Sequence, residues 1–275
     1  MSAPPPNDPN IGAPAVPDSL GTKTLEKAMP WAVILGMFVL WELICLVFNV
    51  PVFILPRPSV VTETLIRLWT PIMRHTTYTL WTTLIGFALA IVFGVALGVA
   101  VGAWRMVYNG LYPVLIGFNS VPKVALVPVL VIWFGFGPIP AVLTAFSISF
   151  FPIVVNVATG IATMEPELQD VLRSLGAKKH QILLKVGIPR SLPYFFASLK
   201  VAITLAFVGS VIAETVTGNR GVGYLMVDAS SRFDAPLVFA GLIVLSFMGV
   251  GLYLVFAEIE RRTTGWAHRG QEGNG

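Results

Sequence analysis

Six apolar stretches, at residues 30–48, 77–103, 110–134, 138–161, 194–215 and 236–257, restrict the fold of this chain more than any other feature. A helix needs roughly 20 apolar residues to cross a bilayer. Inside lipid every backbone amide and carbonyl must be satisfied by the segment itself or by a closed barrel. Continuous apolar runs, rather than alternation, select helices. The expectation is an all-α polytopic membrane protein with about six transmembrane helices. Of the 275 residues 55% are hydrophobic and only 12% are charged, against about a quarter charged in soluble domains. An ordinary soluble enzyme is thereby excluded. The second stretch exceeds the minimum and must tilt or protrude. The third contains Pro122 and Pro128, so a kink or a broken helix is expected there.

The flanking segments divide the chain further. Residues 1–24 carry Pro4, Pro5, Pro6, Pro9, Pro14 and Pro17 and read as a disordered cytoplasmic tail. The first apolar run follows Lys23 at a distance and ends in Asn49-Val50-Pro51 without a cleavage pattern, so it is expected to stay as an anchor. The membrane-spanning body then covers 25–262, with a C-terminal cytoplasmic tail at 263–275. Between the first two spans, residues 58–74 read as an interfacial helix, or as a loop helix packed on the bundle. Lys23, Lys27, Arg105, Arg173, Lys178, Lys179, Lys185, Arg190, Arg261, Arg262 and Arg269 fall on one side of a six-span arrangement. Arg57, Arg67, Arg74, Arg220 and Arg232 fall on the other. The excess of positive charge places both termini and the 162–193 loop in the cytoplasm. The formal net charge of +4 is thus explained by topology, and no basic run with interleaved aromatics points to nucleic acid. Cys45, the single cysteine, can form no intrachain disulfide.

The 162–193 loop carries the densest pattern. Leu168, Val171, Leu172 and Leu175 follow i, i+3, i+4, i+7 spacing and share one face of a short helix. Pro166 suits its first turn, Glu167 favours its positive end, and Gly176 is placed to stop it. A second short amphipathic segment, 178–186, ends before Pro189. On spacing alone this is either a docking element or a plain connector.

Longer matches tip that balance. Asp170-Val171-Leu172, Gly176, Val186, Ile188 and Pro189 resemble the signature loop of binding-protein-dependent ABC permeases. That loop reads Glu-Ala-Ala, three residues, Gly, nine residues, Ile, one residue, Leu-Pro. Asp stands here for Glu, and larger residues stand for the alanines. Leu55-Pro56-Arg57-Pro58-Ser59, the run from Val121 to Pro128, Trp133-Phe134-Gly135, Ala213-Glu214 and Gly221-Val222-Gly223-Tyr224-Leu225 are similar to the nitrate, sulfonate and taurine group of that family. The resemblance implies a type I importer permease in the bacterial cytoplasmic membrane, not itself an enzyme. It implies that Glu167, Asp170, Val171, Leu172, Arg173, Leu175, Gly176 and Ala177 couple to an ABC ATPase subunit. ATP and Mg would be used by that partner, and this chain would bind no cofactor. A periplasmic or lipid-anchored solute-binding protein, a second permease copy forming a homodimer, and membrane lipid complete the implied partners.

Other features are read from the residues alone. Gly86, Ala90, Gly94, Gly98 and Gly102 recur every four residues, which lets helix backbones approach. Packing inside one bundle is the simpler account, and a dimer contact the alternative. Charges at membrane depth need partners or water. For Glu42 an interface position, snorkelling or a structural hydrogen bond is favoured over a place on the solute path. Lys123 and Glu214 are open between a solute path and a structural role, and Asn119, Ser147, Ser149, Asn156 and Thr204 are candidate polar lining or, alternatively, glue between helices. A phosphate-binding Gly-x-x-x-x-Gly-Lys-Ser/Thr loop is absent from the sequence. His75, His180 and His268 show no metal-ligand spacing, and no metal site is expected. The rival reading, an ion-coupled secondary transporter, would want an inverted repeat, and none is visible. The family resemblance implies a small polar or anionic solute, nitrate-, sulfonate- or taurine-like or a pyrimidine precursor, and Lys123 favours an anion.

Overall fold

The computed structural model describes residues 20–162, 166–218 and 220–268. Among these there are only helices and turns: α1 (Leu20–Val47), α2 (Pro58–Arg67), α3 (Trp69–Ala103), α4 (Arg105–Ser120), α5 (Val127–Phe134), α6 (Pro138–Ala162), α7 (Pro166–Ser174), α8 (Lys179–Ile182), α9 (Ile188–Thr217), α10 (Val222–Ser231) and α11 (Ala235–His268). Five runs are long and apolar enough to cross a membrane: Met29–Val47, Trp69–Ala103, Pro138–Ala162, Lys179–Thr217 and Ala235–Thr263. A sixth is broken. Met106–Ser120 and Lys123–Phe134 meet at 80°, through a short 3-10 turn at Lys123–Leu126. The break falls at Pro122, in extended conformation with ψ 97°, because a proline lacks the amide that would continue the helix and clashes with the preceding turn.

The core is a parallel pair, α3 and α6, with α9 running antiparallel against both. An ideal Cβ on Gly86 would lie 2.6 Å from Ala145 Cβ, one on Gly94 2.9 Å from Ile153, and one on Gly98 2.8 Å from Val157. The register is constant, so the glycine stripe is the seam between α3 and α6 within one chain. Without a hydrophobic drive inside lipid, this close backbone approach is what holds the pair. Phe87, Ala90, Ala145, Ile153, Val157, Leu199, Ile203 and Ala206 fill the shared core. Lys200 of α9 pairs with Glu260 of α11, both largely withdrawn from solvent, which ties the last span to this core.

Of the peripheral elements, α2, α10 and α11 share with Ile72 of α3 a second buried cluster of Val61, Leu225, Ala240 and Val244, whereas α1 attaches by a few contacts. Glu42 of α1 accepts the Ser59 backbone N–H at 3.0 Å and the Ser59 hydroxyl at 2.8 Å. The membrane-depth carboxylate thus caps α2, the structural hydrogen bond among the roles expected for it. The Trp41 ring lies tilted against Phe239 of α11, with centroids 5.6 Å apart. Over residues 29–47, most of the remaining α1 surface is exposed and apolar, as a lipid-facing helix should be.

Several boundaries differ from the expectation. Residues 20–24, read with the tail, are the first turn of α1; residues 1–19 lie outside the described residues. The interfacial helix ends at Arg67, and residues 69–76 belong to α3. With about 1.5 Å per residue, the 35 residues of α3 span about 50 Å and overhang the roughly 30 Å hydrocarbon core. α11 continues to His268, so the C-terminal tail begins later than 263; residues 269–275 lie outside the described residues. The segment 178–186 is not a separate helix. α8, a π-helical turn at Leu183–Gly187 and α9 run on as one. The widened turn lies directly before Pro189, where an amide is missing and strict α-helical bonding cannot be kept.

Candidate functional site

Three groups of residues carry the functional reading, and the first is α7. Its end is a Schellman cap. Gly176 has φ +82°, its N–H donates to Arg173 O at 2.9 Å, and the Ala177 N–H donates to Leu172 O at 3.0 Å. These two bonds satisfy carbonyls that a helix end leaves open. The positive φ is why a glycine stands here. The cap also aims the helix. Leu168 and Leu172 are half-buried, while Val171 is 55% and Leu175 77% exposed. The apolar face is therefore only half covered by this chain. Asp170 pairs with Arg173 at 3.3 Å, and both side chains are well exposed. Glu167 is exposed beside them. Beyond the cap, the Lys178 N–H donates to the Gln181 side chain at 2.8 Å, which starts α8. A cavity of about 940 Å³ opens behind this segment, between Gly102, Trp104, Tyr108, Ile161, Lys179 and His180.

The second group is the break between α4 and α5. Lys123 Nζ donates to Asn119 O at 2.9 Å and to Asn119 Oδ1 at 2.8 Å. Two of the candidate lining residues are thus brought together at the bend, where the helix has already given up its backbone bonds. Val127, just past it, packs with Ala141 and Ala213. The other candidates do not join them. Ser147 donates to Leu143 O at 2.7 Å, Asn156 to Pro152 O at 2.8 Å and Thr204 to Lys200 O at 3.0 Å. Each is bonded to the carbonyl one turn back, as polar side chains inside apolar helices commonly are.

Glu214 belongs to a third group. Its carboxylate is fully buried and does not face an open cavity. Oε2 accepts the Thr79 hydroxyl at 2.9 Å and the Gly223 N–H at 3.1 Å. The Thr79 hydroxyl in turn accepts the Val222 N–H at 2.9 Å, and His75 Nδ1 accepts the Gly221 N–H at 3.1 Å. Three successive amides at the start of α10 are thereby held by α3 and α9. Gly221 has φ +100°, and a Cβ there would run into the Glu214 carboxylate. His75 and Thr79 were not among the sequence candidates. The available signal was their four-residue spacing on the glycine face of α3, ahead of a Gly-x-Gly that read only as a turn.

Comparison with known proteins places this polytopic bundle, with its broken span and exposed capped helix, among membrane transport components. Residues 90–265 match the family described as binding-protein-dependent transport system inner membrane component, and the chain belongs to that family. It is 30% identical over 245 residues to the formylaminopyrimidine transport permease ThiX of Halalkalibacterium halodurans, covering 89% of this chain and 98% of that one. It is 33% identical to the riboflavin transport permease RibX of Chloroflexus aurantiacus, covering 84% and 87%. It is 28% identical to the taurine transport permease TauC of Escherichia coli, covering 82% and 84%. The fold matches a chain of the inward-facing MetNI methionine ABC transporter with a TM-score of 0.64, at 18% identity over 71% of this chain and 97% of that one. The protein is an ABC importer permease of the inner membrane with the type I fold, a transport component rather than an enzyme.

Proposed function

We propose that this chain forms the translocation path of an ATP-driven importer for a small organic solute, anionic or pyrimidine-like. Two copies pair, their α7 helices dock into ATPase subunits in the cytoplasm, and a solute-binding protein delivers cargo to the opposite face. ATP and Mg are used by the ATPase, and this chain holds neither. The exposed Val171 and Leu175 on a rigidly capped helix carry the reading. A helix that presents large apolar side chains beside charged ones, outside the apolar spans, fits a partner groove better than water. The basic residues around it favour its cytoplasmic placement.

Along the path, the Lys123–Asn119 pair at the bend offers a cation to a passing anion. Ser147, Asn156 and Thr204 contribute polar wall, and Glu214 serves as the brace of the α9–α10 turn. The names of the relatives span taurine, riboflavin and formylaminopyrimidine transport, so the preference for an anion rests on Lys123, and the pyrimidine-like alternative on the likeness to the formylaminopyrimidine permease. The docking claim is tested by photocrosslinking from Leu175 in cells that coexpress the neighbouring ATPase. An adduct with the ATPase is expected. Adducts only with lipid, or with the permease itself, would sink the docking role.

A further inference from the structure

The latch that joins α3 to the start of α10 also builds a cavity that no part of the proposed function uses. At the end of the bundle opposite α7, Arg74, His75, Tyr78 and Trp81 of α3 face Arg220 and Tyr224 across a space of about 670 Å³. That volume suits a small organic ligand. The lining holds two guanidinium groups and no carboxylate. Among the described residues neither Arg74 nor Arg220 has an ion pair, and the nearby Asp228 is engaged by Arg232 at 2.8 Å. Because His75 Nδ1 accepts the Gly221 N–H, the neutral ring carries its proton on Nε2 and keeps a donor there. Tyr224 lies against the same ring, with centroids 6.0 Å apart. Trp81 is 64% exposed and opens onto the apolar α3 surface that continues through Ile85 and Val92.

We infer that this cavity binds an oxyanion carrying an apolar group: a sulfonate, carboxylate or phosphate ester. The planar forks of two arginines match such oxygens in pairs, and three aromatic rings supply a surface for the attached organic part. The same chemistry is offered by a water-soluble organic anion and by the headgroup of an anionic lipid whose chains follow Trp81 and Ile85. The latch fixes the site. Arg220 follows the αL turn at Gly218 and immediately precedes the three amides held by His75, Thr79 and Glu214. The inference rests on the transmembrane fold and not on the choice of transported solute.

The test uses the full-length permease in phosphatidylcholine nanodiscs, titrated with 4-fluorobenzenesulfonate and followed by fluorine NMR. Saturable binding is expected, weakened about tenfold or more in Arg74→Gln/Arg220→Gln, since each lost guanidinium removes charge-assisted hydrogen bonds. Trp81→Ala, at an exposed position that leaves the core intact, should weaken the arylsulfonate more than inorganic sulfate used as competitor. A second arm adds phosphatidylglycerol to the discs and counts retained lipid by native mass spectrometry. Loss of sulfonate binding in those discs, with phosphatidylglycerol retained by the natural chain and lost by the double variant, identifies the lipid source. Undiminished sulfonate binding identifies a soluble anion. If the natural chain binds neither probe, or the double variant binds both as well as the natural chain, the site does not exist. A double variant that loses only capture of the solute-binding protein would equally overturn it, in favour of a protein contact. Retention of the ATPase by each variant is scored separately, so failure here is distinguishable from failure of the importer assembly.

Discussion

Replacing Gly176 separates a backbone requirement from a packing requirement with unusual clarity. An added Cβ would meet no atom within 4 Å, so steric contact with this chain plays no part. What a side chain loses is the φ of +82°. An L-residue held in the left-handed region costs roughly 1–2 kcal/mol, and asparagine visits it more readily than other non-glycine residues, whereas β-branched residues are outliers there. If the residue relaxes instead, the bonds from Gly176 N–H and Ala177 N–H to the last turn of α7 break, and the helix loses its aim. α7 has little else to hold it, since its main contact within the chain is with the short α8. A cost of about 1–2 kcal/mol shifts the oriented population roughly 5- to 30-fold. ATPase co-purification and uptake should therefore fall in the order glycine, Asn, Ala, Val, with Gly176→Val abolishing uptake while the permease still inserts. Full transport by Gly176→Val would refute the coupling role. Asn behaving as badly as Val would refute the conformational argument, because it would mean that size and not φ decides.

Three further outcomes follow from other parts of the molecule. Gly86→Val places atoms against Ala145 and the Val142 carbonyl, each already 2.6 Å from an ideal Cβ, and should cost about 3 kcal/mol in detergent unfolding; Gly117→Ala, with nothing within 4 Å, should cost nothing measurable. Lys123→Met should lower uptake at least several-fold while assembly and basal ATP hydrolysis persist, and unchanged uptake kinetics would assign the Lys123–Asn119 bonds to structure alone. Lys178→Cys in a Cys45→Ala background should resist an impermeant thiol reagent applied from the periplasm of intact cells, and labelling from that side would invert the topology.

The parts of the fold visible in the sequence are those set by local rules. Apolar length marked the six spans, Pro122 marked the break, and the glycine period marked the α3–α6 seam. The Gly176 stop was legible because helix caps are short-range patterns. Contacts between distant segments were not legible. Glu214 stood as an isolated carboxylate because its partners, Thr79 and Gly223, lie 135 residues back and nine ahead. Nothing in the sequence pairs Lys200 with Glu260, yet the fold sets them against each other between α9 and α11. The π turn before Pro189 was read as a gap between two helices, since a proline signals a missing bond without showing whether the helix stops or widens.

The distribution of these features argues for how force could cross the membrane. α3, α6 and α9 share glycine-backed seams and one core, and helices packed that closely move together. α7 stands outside that body, attached through Gly176 and α8. The π turn then joins α8 to α9 without an interruption of the chain, so a displacement of α7 reaches α9 along a single helical run from Lys179 to Thr217. At the far end of that run Glu214 grips the start of α10 and, through Thr79, the N-terminal part of α3. A pull at α7 is therefore delivered to the α9–α10 turn, where the bonds of Gly221, Val222 and Gly223 resist slippage between α9 and α3. The arrangement favours rigid rotation of the whole α3–α6–α9 body over local bending, with α4 and α5, already broken at Pro122 and only lightly packed, as the element free to change shape.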